Sequence, residues 1–298
     1  MEIKPFLPEH GKIFLEYQSH ISSALELAHS GFAPHLIWSD LLEYRWAILE
    51  EMFCLFATSQ GVTHLALAPF GKGAIVPAVE KVFEQISRIN PPHIPSRIDN
   101  VDSATAVILR TAGFTVTPNR PDYLYIRNEI VRRTGNKFHA QRGAYNQAGR
   151  LHPVLRLFSY TDIINCLYLF DRWASIEQGY SSGDPMDKMM KEDARFSHHA
   201  VMKGYQELGL TGYVVEVQKS VVGYTFGFPV SQDIFCVLLE ITDRSVRGLS
   251  AWLFCEFCRT LSPYKFINTM DDSGLSRLGQ AKSLWHPVRT IPSYTVSK

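Results

Sequence analysis

The amino-acid sequence predicts an α/β fold made of two halves laid end to end. Three observations carry this. Apolar residues recur at three- and four-residue spacing in some segments and alternate in others, so helices and strands mix along the whole chain. The order of segments within residues 1–128 returns after residue 150. Between the two runs lies a stretch rich in basic residues. With 298 residues, 46% of them hydrophobic and 20% charged, the chain has material for two cores of ordinary size.

In the first half, KIFLEYQSHISSALEL (12–27) and WSDLLEYRWAILEEM (38–52) both repeat apolar residues at helical spacing, which predicts two helices. FCLFATSQGVTHLALAPFG (53–71) reads as two strands around Gln60 and Gly61. The turn FGKGA follows, then a helix over IVPAVEKVFEQISRI (75–89). Beyond the breaker NPPHIP, DSATAVILRTAGF predicts a short helix opened by Asp102 or Ser103 and closed by Gly113, and DYLYIRN a strand.

The second half repeats that order. TDIINCLYLFDRWASIEQG (161–179) and FSHHAVMKGYQELGL (196–210) predict helices. TGYVVEVQKSVVGYTFGFPV alternates on both sides of QKS, as a β-hairpin does, and DIFCVLLEIT is a further strand. Then come the loop and helix DRSVRGLSAWLFCEFCRTL, the strand YKFIN, the helix SGLSRLGQAKSLW and the strand VRTIPSYTV. The order resembles the GNAT acyltransferase arrangement, written twice without repeated wording. It implies an N-terminal GNAT-like domain over 1–128, a basic connector helix over 129–150 and a C-terminal GNAT-like domain over 151–298.

Composition limits the partners. The formal charge of +1 excludes binding of a polyanion by net charge, so any such attraction needs a local patch. The opening MEIKPFLPEH has no signal-peptide pattern, and the longest apolar run is broken by Pro229, Gln232 and Asp233. A cytoplasmic protein without a transmembrane segment is expected. Five cysteines form no disulfide framework, and Cys255 and Cys258 make a CxxC on a helical pattern with no second pair to complete a zinc site. His198 and His199 are sequence neighbours and point about 100° apart on a helix, so they make no joint metal site. No metal is expected.

The connector carries the local asymmetry. RNEIVRRTGNKFHAQRGAYNQAGRLHPVLR (127–156) holds seven Arg or Lys against the single acid Glu129. As a continuous helix it places Arg132, His139, Arg142 and Asn146 on one side, with Tyr145 nearby, a face suited to phosphates. Gly135 and Gly143 weaken such a helix by about 1 kcal/mol each relative to alanine. A solvated linker face is the plainer account. The loops FGKGA and DRSVRGLSA, the latter with Arg247, precede helices whose N-termini favour phosphate groups, but neither has the glycine spacing of a coenzyme A loop. A turn and a helix start explain both equally well.

Two motifs resemble one family. GNKFHAQRGAYN fits a G-x-K-aromatic-H-x-x-R-x-x-x-N connector through Gly135, Lys137, Phe138, His139, Arg142 and Asn146. FINTMDDSGLSRLGQAKSLWHPV fits an N-x-x-x-D-x-G-x-x-x-L-x-x-A-K-x-x-aromatic-H-P ending through Asn268, Asp272, Gly274, Leu278, Ala281, Lys282, Trp285, His286 and Pro287. Both are similar to the bacterial family of the phosphatidylglycerol lysyltransferase C-terminal domain, and the resemblance spans nearly the whole chain. It implies tandem GNAT-like halves and transfer of an aminoacyl group from charged tRNA, with Fem-type aminoacyltransferases similar in fold. Gly279 stands where the family ending usually has arginine and Leu284 where it usually has serine, with Arg277 a candidate replacement.

For such a transfer, Asp272 or His286 is a candidate base. Lys282 and Arg277 are candidates for holding donor phosphates or the developing oxyanion, and backbone amides of 235–239 are further donors. Lys137, His139, Arg142, Asn146, Asn268, Arg277 and Arg247 form the candidate substrate-binding set. Each has a plainer account: Asp272 with Ser273 as a turn and cap, Lys282 as a solvated helix residue, His286 as the bend before a proline. The expected donor is aminoacyl-tRNA, gripped at its acceptor end, or a coenzyme A thioester. The acceptor is a small molecule, a peptide or a lipid head group. A ligand-binding module that kept the fold and lost the reaction is the alternative.

Overall fold

The computed structural model describes residues 3–21, 25–38, 42–178 and 185–298. The chain runs β1 (Lys4–Pro5), α1 (Gly11–Gln18), α2 (Pro34–Ile37), β2 (Glu43–Leu49), β3 (Met52–Ser59), β4 (Val62–Leu65), β5 (Phe70–Gly71), α3 (Ile75–Ile89), β6 (Arg97–Val101), α4 (Ser103–Thr111) and β7 (Thr115–Ile126). It continues with α5 (Arg127–Arg132), α6 (His139–Gly149), β8 (Val154–Leu157), α7 (Ile163–Gln178), α8 (Pro185–Gly204), β9 (Thr211–Val217), β10 (Ser220–Pro229), β11 (Ile234–Thr242), α9 (Leu249–Thr260), β12 (Phe266–Asn268), α10 (Ser276–Ser283) and β13 (Arg289–Ser297). Mixed α/β architecture is as the sequence predicts. No helix among the described residues is long and apolar enough to cross a membrane.

Two compact units divide the chain. One comprises Met1–Asp122, Asp271–Gly274 and Thr290–Lys298, the other Tyr123–Met270 and Leu275–Arg289. The basic connector thus falls within the second unit, and the last strand within the first. In the first unit the strand order is β1-β2-β3-β4-β6-β13-β7. β13 enters between β6 and β7, antiparallel to β6, with Tyr294 opposite Val101 and Thr295 Oγ1 donating to Asp99 at 3.0 Å. The amphipathic α3 packs Val79, Val82, Phe83 and Ile86 on this sheet, in one core with Leu65, Ile98 and Val296.

The second unit orders its strands β12-β11-β10-β9-β8, with residues 123–126 of β7 pairing β12 antiparallel. The hairpin of β9 and β10 turns at Gln218 and Lys219, both left-handed at φ 50° and 65°, as a tight turn matching the sheet twist requires. α9 buries Trp252, Leu253, Cys255, Phe257 and Cys258. At its start Gly248 sits at φ 81°, and a Cβ there would lie 2.0 Å from the Ala144 carbonyl oxygen. Only glycine lets α6 and this loop meet.

Two expectations differ locally. Residues 38–52 do not form a helix: 43–49 are β2, followed by a turn at Glu50 and Glu51, while 39–41 lie outside the described residues. The helix expected over 12–27 ends at Gln18, and its positions 22–24 also lie outside them. The connector is not one helix either. Arg133 takes φ 49°, Gly135 takes 81°, and a single 3₁₀ turn over Asn136–Phe138 separates α5 from α6.

Candidate functional site

In the second unit two parallel strands come apart. β11 pairs β12 at three positions, Ile234 with Phe266, Phe235 with Ile267 and Cys236 with Asn268. Beyond Cys236, β11 stays on β10 as far as Thr242. Beyond Asn268, the other strand stays on β7, Thr269 N–H donating to Tyr123 and Tyr123 N–H to Met270, each at 3.1 Å. A wedge therefore opens along the edge of β11 from Val237. At its apex the register slips: Val237 faces Gly227 but Leu239 faces Phe226, leaving Leu238 as a bulge. Such a bulge re-aims the local peptide groups.

Polar side chains fix the β12 side of the wedge. Asn268 is fully buried, and its Oδ1 accepts from Met270 N–H at 2.6 Å, holding Met270 at φ 61°. Lys282, from α10, donates through Nζ to the carbonyls of Thr269 and, at 3.1 Å, Met270. Its ammonium also lies 5.6 Å from the Tyr123 ring centre. Tyr125 Oη donates to the Lys282 carbonyl at 3.0 Å, and burial pushes this phenol well above its ordinary range. Lys282 is thus tied to the end of β12.

The two sequence motifs meet within this unit. Arg142 reaches back from α6 and donates through Nη1 to the Arg133 and Gly135 carbonyls, closing the break after α5. Lys137 pairs with Glu129 at 2.6 Å. His286 donates from Nε2 to the Lys137 carbonyl at 2.7 Å and meets the edge of Phe138 at 5.2 Å. Gln141 donates to the Leu284 carbonyl, and Trp285 packs on Phe254. His286 holds φ 56°, a left-handed conformation that costs energy for a non-glycine residue and is kept by these contacts.

The other candidates are placed differently. His139 and Asn146 are exposed on α6, Arg277 is exposed on α10, and Arg247 is exposed ahead of α9. Asp272 belongs to the first unit, where its Oδ1 accepts from Gly274 N–H at 3.0 Å beside the turn made by Asp271 and Ser273.

One group carried no motif. Glu240 on β11 faces Thr225 across the sheet, and Glu240 Oε2 and Thr225 Oγ1 are both enclosed without a hydrogen-bond partner among the described residues. Burial pushes the Glu240 carboxyl from 4.5 to about 8. Its field reaches Cys255 and Cys258 on α9, whose thiols burial also raises, Cys255 to about 12. The signal in the sequence was a single acid inside the apolar run IFCVLLEIT.

The family model for the C-terminal part of phosphatidylglycerol lysyltransferase matches residues 24–297. The chain belongs to this family. Among solved structures, a conserved protein of unknown function from Bacteroides thetaiotaomicron VPI-5482 superposes with a TM-score of 0.87 at 21% identity, over 100% of this chain and 99% of that one. L-PGS from Bacillus licheniformis gives 0.67 at 14% identity over 99% and 93%. A tandem GNAT protein from the clavulanic acid biosynthesis pathway gives 0.52 at 9% identity over 99% and 98%. These likenesses establish the tandem GNAT-like fold. No functionally curated protein matches the chain. Family membership supports a transferase, in line with the role read from the motifs.

Proposed function

We propose that the second unit transfers an acyl group, with aminoacyl-tRNA as donor and the activated carbonyl seated in the wedge between β11 and β12. The observation that carries the reading is the wedge itself, with its bulge at Leu238. Peptide N–H groups along that unpaired edge are suited to meet the oxygen on which charge develops, and fixed donors in such a place lower the barrier without reorganising. Lys282, anchored at the end of β12, adds a positive charge on the opposite side of the wedge.

The acceptor's amine or hydroxyl attacks the ester carbon. The bond to the ribose oxygen then breaks, and that oxygen takes up a proton. Because His286 already donates from Nε2, its Nδ1 is the atom left to accept the nucleophile's proton. α9 starts at Gly248 without a side-chain cap and next to Arg247, a setting that favours a donor phosphate. His139 at the start of α6 and Asn146 two turns further along its exposed face offer a grip on an acceptor end.

Filter binding of aminoacylated against deacylated tRNA tests this. The charged form should bind more tightly, and three phosphate contacts would weaken binding about 20- to 40-fold between 50 and 200 mM salt. Lys282→Met should abolish transfer to an added amine while leaving tRNA bound. Stabilisation by coenzyme A with no response to tRNA would instead identify a thioester donor. Retention of charged tRNA without any loss of its aminoacyl group would identify a binding module, the reading that Gly279 favours.

A further inference from the structure

The first unit contains a wedge of its own, and that wedge is an open pocket. β4 pairs β6 in parallel at Leu65 and Ile98. Immediately beyond, Ala66 N–H turns to Leu55, and the Asn100 side-chain amide donates to the Ala66 carbonyl at 2.9 Å, spanning the separating strands. Asn100 takes φ 54° to do so. The space past this tie is a cavity of about 440 Å³, within the range of small-ligand sites.

Its walls specify a ligand class. Leu27, Leu67, Phe70 and Ile108 supply apolar surface, while the charged residues on the lining are Glu26 and Asp102, with His20 beside them. No lysine or arginine is among the described lining residues. The start of α4 also faces this pocket, and a helix N-terminus ordinarily attracts an anion. Here that role is already filled, because Asp102 Oδ1 accepts from the Ala104 and Thr105 N–H groups at 2.9 and 3.1 Å. A second anion would meet a carboxylate at the one place that would otherwise welcome it.

We propose that this pocket binds a small organic cation, an amine carried on an apolar body. The carboxylates of Glu26 and Asp102 select the charge, and the apolar wall selects the body. The site stands independently of the transfer proposed for the second unit, since it lies wholly on residues of the first.

Titration calorimetry of the full chain at pH 8 with 4-phenylbutylamine, 4-phenylbutanol and 4-phenylbutanoate tests it. These probes share a body and differ in charge. The amine should bind about tenfold or more tighter than the alcohol, and the carboxylate weakest, as two like-signed carboxylates in a partly apolar pocket require. The double variant Glu26→Gln, Asp102→Asn should bring the amine down to the alcohol's affinity. It should leave the alcohol unchanged, which shows that the pocket survives; asparagine also caps a helix about as well as aspartate. Ala104→Trp should abolish binding of both by filling the cavity. Absence of binding by all three probes, a preference for the carboxylate, or an amine preference that survives the double variant would each overturn the proposal.

Discussion

Replacing Glu240, a half-buried residue whose Oε2 is enclosed, by glutamine removes an ionisation and little volume. In the wild type the carboxyl titrates near 8 in the folded unit and near 4.5 when released, because burial disfavours its charged form. Between those values the folded state holds a proton that the unfolded state has lost, so stability falls as pH rises and is fully present only below about 4.5. One proton of difference corresponds to about 1.4 kcal/mol per pH unit, hence up to about 2.7 kcal/mol between pH 5 and 7. His35 and His198, both held down to about 3 by burial, act in the opposite sense: they lose stability as pH falls below 6.5. They are common to both proteins and cancel in the difference. Urea unfolding of wild type and Glu240→Gln at half-unit pH steps should give curves that diverge by about 2–3 kcal/mol from pH 5 to 7 and run parallel above pH 8.5. Parallel curves throughout would show that the carboxyl is ionised and solvated, and the enclosed-acid argument would fail.

Arg156 bridges Asp162, at 2.6 and 2.7 Å, and Glu216, and it holds the Asp162 carboxyl below its usual range. Arg156→Ala should cost about 2 kcal/mol at pH 7, less than a fully buried pair because the guanidinium is about one-third exposed. It should also move the acid-unfolding midpoint to higher pH, since a lowered carboxyl gives stability that is lost as pH falls through its folded value. Gly248→Ala should lower stability by at least about 2 kcal/mol in thermal melts, combining a left-handed φ with the collision at Ala144. Gly61→Ala, with φ 77° but nothing within 4 Å, should cost only about 1 kcal/mol.

Local chemistry made much of this chain readable. Asp102, one of the two cap candidates in the sequence, caps α4 through the N–H groups of Ala104 and Thr105, and Gln218 and Lys219 turn the hairpin where QKS interrupts the alternation. The segment LEYRWAIL misled because Tyr44, Trp46, Ala47 and Leu49 fit helical spacing as well as a strand. Pairing with β3, from Glu43–Thr58 to Leu49–Met52, decides for the strand. No local signal marks β13 as a strand of the first unit, since its partner β6 lies almost 200 residues earlier and Thr295 finds Asp99 only in the fold. The candidate site was legible to the same extent. The two motifs named Lys137 and His286 as separate candidates, and nothing in either indicated that a main-chain carbonyl joins them. Glu240 stayed hidden because a single acid in an apolar strand looks like a solvent-facing residue until the helix above it is in place.

The departure at Gly279 can be weighed against the helix that carries it. α10 spans Ser276–Ser283, and residues two apart on a helix point about 200° from each other, so Arg277 does not take the place of a side chain at 279. If the proposed transfer occurs, the positive charge at the donor must come from elsewhere, and Lys282 at the end of β12 and Arg247 ahead of α9 are the groups at hand in the same unit. An arginine restored at 279 is then an addition to a working set. Gly279→Arg should tighten charged-tRNA binding severalfold at 50 mM salt, with that gain lost by 200 mM, and leave the rate of transfer at saturating donor within about threefold. A hundredfold rise in that rate would refute this. It would mean that the guanidinium acts in the transition state and that the chain with glycine has kept the wedge as a binding site.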